Sequence, residues 1–175
     1  SPVIHLASHT GARPTWKDEI IGFVPGLVKG VQACGGANGT YALGDVLAAG
    51  IEAGIKAAAA MGKTTQVVNA PSVKPLQQGQ AVALFQVPHE KATTRAPKQF
   101  VDLQNDVTAA GIELATREGF ESIEHVKRYT AMGFGTDQGK LGNINGMAIA
   151  ARCLGRSIPE VGTTVFRPNY TPVTF

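Results

Sequence analysis

Residues 100–154 carry the clearest local pattern in the chain, because their helix boundaries are marked by residues with specific backbone preferences. Thr108 stands where a helix N-cap is expected, and Gly119 stands where a left-handed C-cap is typical. Ser122 begins a second helix with apolar residues on one face. The loop that follows contains four glycines, Gly133, Gly135, Gly139 and Gly142, which predict flexibility beyond what packing needs. A third helix is predicted for residues 143–154, so this part predicts a small all-α domain over residues 98–156.

The rest of the chain predicts an α+β protein. Short apolar runs bounded by proline and glycine predict strands at residues 3–6, 19–24 and 31–34. Residues 44–61 are rich in alanine and predict a helix closed by Gly62, in which Gly50 and Gly54 allow a close approach to a sheet. Residues 66–97 hold four prolines and one apolar run, 81–87, which predicts a linker carrying one strand. Residues 157–175 predict an extended arm.

Composition narrows the class of protein. The 175 residues are 43% hydrophobic and 17% charged, as in a globular domain. The net charge of +3 is spread thinly, and the adjacent pair Lys127 and Arg128 is too small for a nucleic-acid surface. No uncharged apolar run of about 18 residues and no signal-peptide pattern occurs, so no membrane contact is expected. Cys34 and Cys153 are interpreted as reduced, buried thiols of a cytoplasmic protein.

A first candidate site lies at residues 35–45, GGANGTYALGD, just before the alanine-rich helix. The N–H groups of a helix N-terminus suit a pyrophosphate, and a carboxylate there can bond a sugar hydroxyl. The pattern is similar to the G-x-[YF]-A-x-G-D motif of flavoprotein disulfide reductases, in which the aspartate bonds a polyol. The candidate dinucleotide contacts are Gly36, Asn38, Gly39, Gly44 and Asp45. The alternative is a turn in which Asp45 only caps the helix. No G-x-G-x-x-G motif occurs in the chain, so the site would be partial.

A second candidate site lies at residues 136–140, immediately before the third helix. One interpretation is a polar turn. The other is a loop that faces a flavin at a subunit contact, with Lys140 and Asn143 near the phosphate or the ring edge. His125 is interpreted as a surface histidine, and His5 and His9 as structural residues on one strand face. No metal spacing, nucleophile elbow or Walker pattern occurs, so bound cofactors would supply any redox chemistry.

The helical segment resembles the small domain that holds a 2Fe–2S cluster in bacterioferritin-associated ferredoxin (BFD). In that family, a Cys-x-Cys pair precedes the "VT" of the first helix, and a second pair flanks the "QG" of the loop. The corresponding positions here are Asp102, Gln104, Asp137 and Gly142. Because thiolates hold such clusters, the resemblance implies a BFD-like domain without iron and sulfide.

Several sequence segments resemble the alpha subunits of heterotetrameric sarcosine oxidases. These segments are FVDLQNDVT, GFESIEHVKRYT, TDQGK and IPEVGTTVFRPNYTPV. Residues 1–65 would then be the C-terminal part of a Rossmann-like FAD/NAD-binding domain that begins upstream. Residues 157–175 would lead toward a folate-binding aminomethyltransferase domain. The resemblance implies NAD held in this subunit, FMN or FAD at or near the subunit interface, and beta, gamma and delta subunits as partners. The alternatives are a subunit of a related amine dehydrogenase, acting on proline, opines or glycine, and a non-catalytic adaptor between subunits.

Overall fold

The computed structural model describes residues 2–66, 68–76, 79 and 81–165. The chain divides into two compact units, Ser1–Val82 and Ala83–Phe175, called here the N-terminal unit and the C-terminal unit. Both contain helices and short antiparallel strands, so the α+β class is confirmed. Within the described ranges, no helix has the length and apolar character needed to cross a bilayer.

In its described residues, the N-terminal unit contains two α-helices and one antiparallel strand pair. Helix α1 spans His5–His9, strands β1 and β2 span Thr15–Lys17 and Gly22–Val24, and helix α2 spans Leu43–Ala60. In the strand pair, Trp16 lies opposite Phe23, and their rings meet edge to face with centroids 5.0 Å apart. The buried apolar side chains of this unit are Ile4, Ala7, Ala12, Phe23 and Val24.

Two of the three strands predicted for this unit are wrong. Residues 3–6 run into helix α1, and the buried residues are the N-cap Ile4 and Ala7, three positions apart as in a helix, instead of alternate residues. Residues 31–34 form no strand, and Val31 makes only an isolated bridge to Val28. The prediction for residues 19–24 is confirmed only at Gly22–Val24, because a 3-10 turn at Asp18–Ile20 precedes the strand.

Helix α2 confirms the alanine-rich prediction, and Gly62 follows its end with a φ of +69°. No side chain of the helix is buried. Among the described residues, nothing lies within 4 Å of a Cβ built at Gly50 or Gly54, so the predicted close approach to a sheet is not seen there. The strand pairs in the described part of this unit are antiparallel, and the Rossmann-like character predicted for residues 1–65 is not confirmed.

The C-terminal unit packs three helices beside a small hairpin. Strands β3 and β4 span Phe100–Asp102 and Val107–Thr108, and helices α3, α4 and α5 span Ala109–Arg117, Ile123–Thr130 and Asn143–Leu154. Its largest fully buried side chains are Ile112, Ile123, Val126, Met132, Ile149 and Val161. The hairpin corrects the prediction of an all-α domain. Its strands are too short for their alternation to be distinguished from a loop.

The predicted helix boundaries are largely confirmed. The Thr108 hydroxyl accepts a hydrogen bond from the Gly111 N–H at 3.2 Å, as an N-cap does. Gly119 follows helix α3 with a φ of +96°, and the bounds of α5 agree with the prediction for residues 143–154. Ser122 occupies the N-cap of α4, but its side chain makes no cap hydrogen bond.

Two further predictions for the ends of this unit are wrong. Residues 81–87 form no strand, because no other segment of the described chain pairs with them. Residues 157–165 are not an extended arm: Ile158–Val161 forms a 3-10 helix that packs on α5, and Val161 is buried. Residues 166–175, the remainder of the predicted arm, lie outside the described residues.

The Glu160 carboxylate forms a pH-dependent contact with Ser157 at the start of this 3-10 helix. The Ser157 hydroxyl and the Ser157 N–H each donate a hydrogen bond of 2.7 Å to one Glu160 carboxylate oxygen. These bonds, the hydroxyl first, lower the pKa of Glu160. Because the folded-state pKa is the lower one, the contact stabilises above the unfolded-state pKa, and this contribution is lost as the pH falls through the folded-state pKa.

The substitution Ser157→Ala is therefore expected to raise the pKa of Glu160 toward its ordinary value. An NMR titration of the Glu160 carboxyl carbon measures this shift. Ser122→Ala, which removes a hydroxyl that makes no cap bond, should leave the titration unchanged. Equal pKa values in the parent chain and in Ser157→Ala would contradict the assignment.

Candidate functional site

Residues 35–45, which lead into helix α2 and include its first three residues, are called here the α2 turn. It begins with a 3-10 helix at Gly35–Asn38 and reverses at Gly39, which has a φ of +81°. The Thr40 N–H donates to the Gly35 carbonyl at 3.0 Å and closes the turn. A Cβ built at Gly39 would lie 2.6 Å from Ile20 Cδ1. Gly39 is therefore required both by its backbone conformation and by the neighbouring side chain.

Asp45 lies in the first turn of α2 and is exposed. The N-cap is Ala42, and no side chain caps the helix, so the interpretation of Asp45 as only a capping residue is wrong. In the described part of the chain, its carboxylate has no hydrogen-bond or ion-pair partner. The helix N-terminus therefore offers both free N–H donors and a free carboxylate acceptor.

The N-terminus of α2 lines a cavity of about 280 Å³. Gly44 and Asp45 form one side, and residues 73–76, including the exposed Lys74, form the other. A Cβ at Gly44 would lie 3.8 Å from Val73 Cβ, so Gly44 marks the contact of the two sides. Lys74 was not found from the sequence, because no local pattern connects it to the distant turn. A cation, free N–H groups and a carboxylate suit a ligand that combines phosphate and sugar hydroxyls.

The other predicted dinucleotide residues differ in accessibility. Gly36 is exposed, and none of the described residues lies within 4 Å of a Cβ built on it. Asn38 and Gly39 are half-buried. The structure brings these residues into one turn with Gly44 and Asp45, but the cavity itself is lined only by Gly44 and Asp45 of the five.

Residues 133–142, called here the glycine loop, are attached to strand β3 by Asp102. One Asp102 carboxylate oxygen accepts a hydrogen bond of 2.6 Å from the Gly133 N–H. The other accepts from the N–H groups of Gln104 and Asn105 at 2.9 and 3.1 Å. Asp102 is only 6% exposed, so these three donors satisfy a buried carboxylate.

The other positions that correspond to cluster ligands lie around the same loop. The Gln104 amide donates to the Thr136 hydroxyl at 2.8 Å, and Asp137 accepts from the N–H groups of Gly139 and Leu141, both at 3.3 Å. A Cβ at Gly142 would lie 2.6 Å from the Val101 carbonyl oxygen, beside Asp102. None of the four supplies a thiolate, so this donor set does not fit a 2Fe–2S cluster. The described residues also contain no group of three or more His, Cys, Asp or Glu suited to a metal ion.

Lys140 and Asn143 lie in different environments. Lys140 is exposed, whereas Asn143, the first residue of α5, is 3% exposed. Neither polar atom of the Asn143 carboxamide has a hydrogen-bond partner among the described residues. A Cβ at Gly139 would lie 2.2 Å from this carboxamide, and one at Gly133 would lie 2.5 Å from it. These glycines therefore make room for Asn143, which corrects the interpretation that the loop needs glycine for flexibility.

The remaining single residues have mixed outcomes. His125 is exposed, as predicted. His5 and His9 lie on helix α1, not on a strand, and their ring centroids are 6.2 Å apart. Both cysteines are free thiols, but Cys153 is exposed and Cys34 is half-buried, so the prediction that both are buried is wrong.

The fold and the loop define the class of the C-terminal unit: a small mixed helical and sheet domain built around a glycine-rich loop. Residues 96–175 match the family model described as Sarcosine oxidase A3 domain. The chain is also 42% identical to the sarcosine oxidase subunit alpha of Rhizobium meliloti (strain 1021), an alignment that covers 99% of this chain and 17% of the relative.

Two further relatives are similar over the whole chain. The sarcosine oxidase alpha subunits of Corynebacterium sp. strains P-1 and U-96 are 36% and 34% identical, each over 100% of this chain and 18% of the relative. The chain belongs to the sarcosine oxidase alpha subunit family, as its sequence predicted. It spans between a sixth and a fifth of the length of these curated relatives.

Proposed function

We propose that the chain is a segment of the alpha subunit of a heterotetrameric sarcosine oxidase, which oxidatively demethylates sarcosine to glycine through flavin and holds NAD in this subunit. The family membership supports the general assignment. The observation that carries the specific role is the free Asp45 carboxylate beside the uncapped N-terminus of α2. Substrate oxidation takes place elsewhere in the enzyme, and this segment binds cofactor and partner subunits.

The α2 turn is suited to part of a dinucleotide. The Asp45 carboxylate accepts hydrogen bonds from sugar hydroxyls, while the first N–H groups of α2 and the Lys74 ammonium attract phosphate oxygens. Gly36 and Gly44 have no side chain, so the phosphates of the ligand can approach the main chain closely. Asn38 and Gly39 form the turn that leads to Asp45. Because no G-x-G-x-x-G motif occurs in these 175 residues, the α2 turn is proposed to contact only part of the dinucleotide.

The C-terminal unit is proposed to face a flavin-bearing partner, one of the beta, gamma and delta subunits. Lys140 is the exposed cation of the glycine loop and attracts the flavin phosphate. The unpartnered Asn143 carboxamide supplies a donor and an acceptor for a polar group that reaches the loop. With Asp102 in place of a thiolate, the domain folds without iron and sulfide and serves as a scaffold.

Substituting Asp45 with alanine in the intact subunit is expected to weaken NAD binding roughly 10- to 100-fold, the loss typical of a hydrogen bond to a charged group. NAD content after purification and the Kd from calorimetry measure this loss. Glu52→Ala is the matched control, because Glu52 lies on the exposed face of the same helix, paired with Lys56 at 2.6 Å. Its removal should leave NAD binding unchanged.

The contrary results have distinct meanings. NAD binding that is equal in Asp45→Ala and the parent subunit would remove the dinucleotide assignment of the α2 turn. If the assembled protein retained neither NAD nor flavin, the C-terminal unit would instead be a non-catalytic adaptor. Turnover of proline or an opine in place of sarcosine would identify a related amine dehydrogenase.

A further inference from the structure

Residues 83–87, called here the 83–87 segment, form an apolar run in the C-terminal unit. The run reads ALFQV, contains no glycine and no charged residue, and is followed by Pro88. Phenylalanine and valine favour strands, and the strand predicted for residues 81–87 depended on this composition. The described chain provides no strand that pairs with it. The segment therefore has the composition of a strand without the pairing of one.

Side-chain hydrogen bonds attach the end of the 83–87 segment to the rest of the unit. The Gln86 amide donates to the Gln99 carbonyl oxygen and, at 3.3 Å, to the Thr93 hydroxyl. The Thr93 hydroxyl donates in turn to the Glu113 carboxylate of helix α3 at 2.6 Å. The Gln99 amide donates to the Val87 carbonyl at 2.8 Å. Because these bonds fix Gln86 and Val87, the segment is held on the unit and is more than a loose linker.

The main chain of the same segment is unpaired. Among the described residues, no main-chain N–H or C=O group of residues 83–86 takes part in a hydrogen bond. Leu84 and Val87 are 63% and 67% exposed, so large apolar side chains lie beside these unpaired groups. Proteins normally protect such an edge with charged residues or cover it, because another strand can pair with it. Since the segment carries no charge, we expect its edge to be covered in the intact protein.

We propose that a strand of the same polypeptide, from outside these 175 residues, pairs with the main chain of the 83–87 segment. Main-chain hydrogen bonds join the two, and apolar side chains of the added strand cover Leu84 and Val87. This inference rests on the proposed function, in which the chain is a segment of an alpha subunit.

The length of the relatives favours a strand from the same polypeptide. The aligned region covers only 17–18% of each curated alpha subunit, so most of such a subunit lies outside it. A strand on the same polypeptide is also present at a high effective concentration, which a separate chain does not reach.

Amide hydrogen exchange, followed by mass spectrometry of overlapping peptides, tests the pairing. Three samples are compared: the 175-residue chain, the isolated intact alpha subunit and the assembled enzyme. In the 175-residue chain, the amides of residues 83–86 should exchange at the rate of an unstructured peptide. In the isolated alpha subunit, alternate amides of the segment should exchange about 100-fold more slowly, because a strand that pairs on one edge protects every second N–H.

Proline substitutions identify the paired edge. Proline removes an N–H and is tolerated in a strand only where that N–H faces solvent. Ala83→Pro and Leu84→Pro should therefore differ in the intact subunit: one abolishes the protection and the other largely retains it. Ala83→Thr and Leu84→Thr are the matched controls, because threonine keeps the N–H and favours strands. Neither N–H is bonded in the described chain, so all four variants of the 175-residue chain should keep its urea midpoint.

Several results would overturn the proposal. They are protection already present in the 175-residue chain, protection absent from all three samples, and equal effects of the two proline variants. Protection that appears only in the assembled enzyme would assign the strand to another subunit, and protection that depends on protein concentration would assign it to a second copy.

The NAD content of the same preparations separates this inference from the proposed function. A subunit that retains NAD through Asp45 but leaves residues 83–86 unprotected would overturn only the strand pairing. A subunit that protects these residues but retains no NAD would support the pairing and contradict the proposed function.

Discussion

Asp102→Ala is expected to lower the free energy of unfolding of the C-terminal unit by about 3 kcal/mol, because it leaves buried N–H groups without an acceptor. The carboxylate accepts from the Gly133, Gln104 and Asn105 N–H groups, and it is the side-chain connection between β3 and the start of the glycine loop. Urea unfolding followed by circular dichroism measures the change. The glycine loop should also lose amide-exchange protection first at Gly133.

The conservative variant separates hydrogen bonding from packing. Asp102→Asn keeps the volume but has one acceptor oxygen where the aspartate uses two, so it should lose roughly half as much stability. Glu90→Ala removes an exposed carboxylate and is the control, with a change within about 0.5 kcal/mol. If Asp102→Ala were as stable as Glu90→Ala, Asp102 would not hold the loop.

Ile112→Ala is expected to destabilise the same unit by about 3–4 kcal/mol, within the usual range for a fully buried isoleucine. Ile112 is fully buried in helix α3, and its Cδ1 lies 3.5 Å from the position that a Cβ of Gly146 would occupy. Because Gly146 has no side chain, α5 packs closely against Ile112 of α3. The closely packed neighbours cannot move far enough to fill the cavity that truncation of Ile112 would leave.

Leu114→Ala provides the comparison on the same helix. Leu114 is 38% exposed, so its truncation should cost less than about 1.5 kcal/mol. Urea unfolding of both variants measures the difference. Similar losses for the two variants would mean that α3 presents a different face to the core.

The helix ends show how far local sequence determines this fold. Thr108 and Gly119 mark the ends of α3 through their own side chain and backbone, so their roles were predictable from neighbouring residues alone. The strands were less predictable. Residues 31–34 and 81–87 are apolar enough for strands, but a strand needs a partner, and none of the described residues provides one for them.

The candidate sites also combine features that depend on neighbouring residues with features that depend on distant ones. The α2 turn was predictable as a turn before a helix because Gly36, Gly39 and Asp45 are close in sequence. Its cation, Lys74, comes from a separate segment that only folding brings to the cavity. Likewise, the absence of thiolates at Asp102, Gln104 and Asp137 is visible in the sequence, whereas the hydrogen bonds that these side chains form around the glycine loop are not.

The sequence by itself determined the family, the three C-terminal helices and the position of the α2 turn, because each depends on motifs or on residues within a few positions of one another. Only the tertiary structure decided that Asn143 is buried between Gly133 and Gly139, that Val161 belongs to the core, and that Gln86 has an acceptor without a donor. The physical reason is that burial and hydrogen-bond satisfaction depend on which distant segments meet, and local propensity carries no information about that.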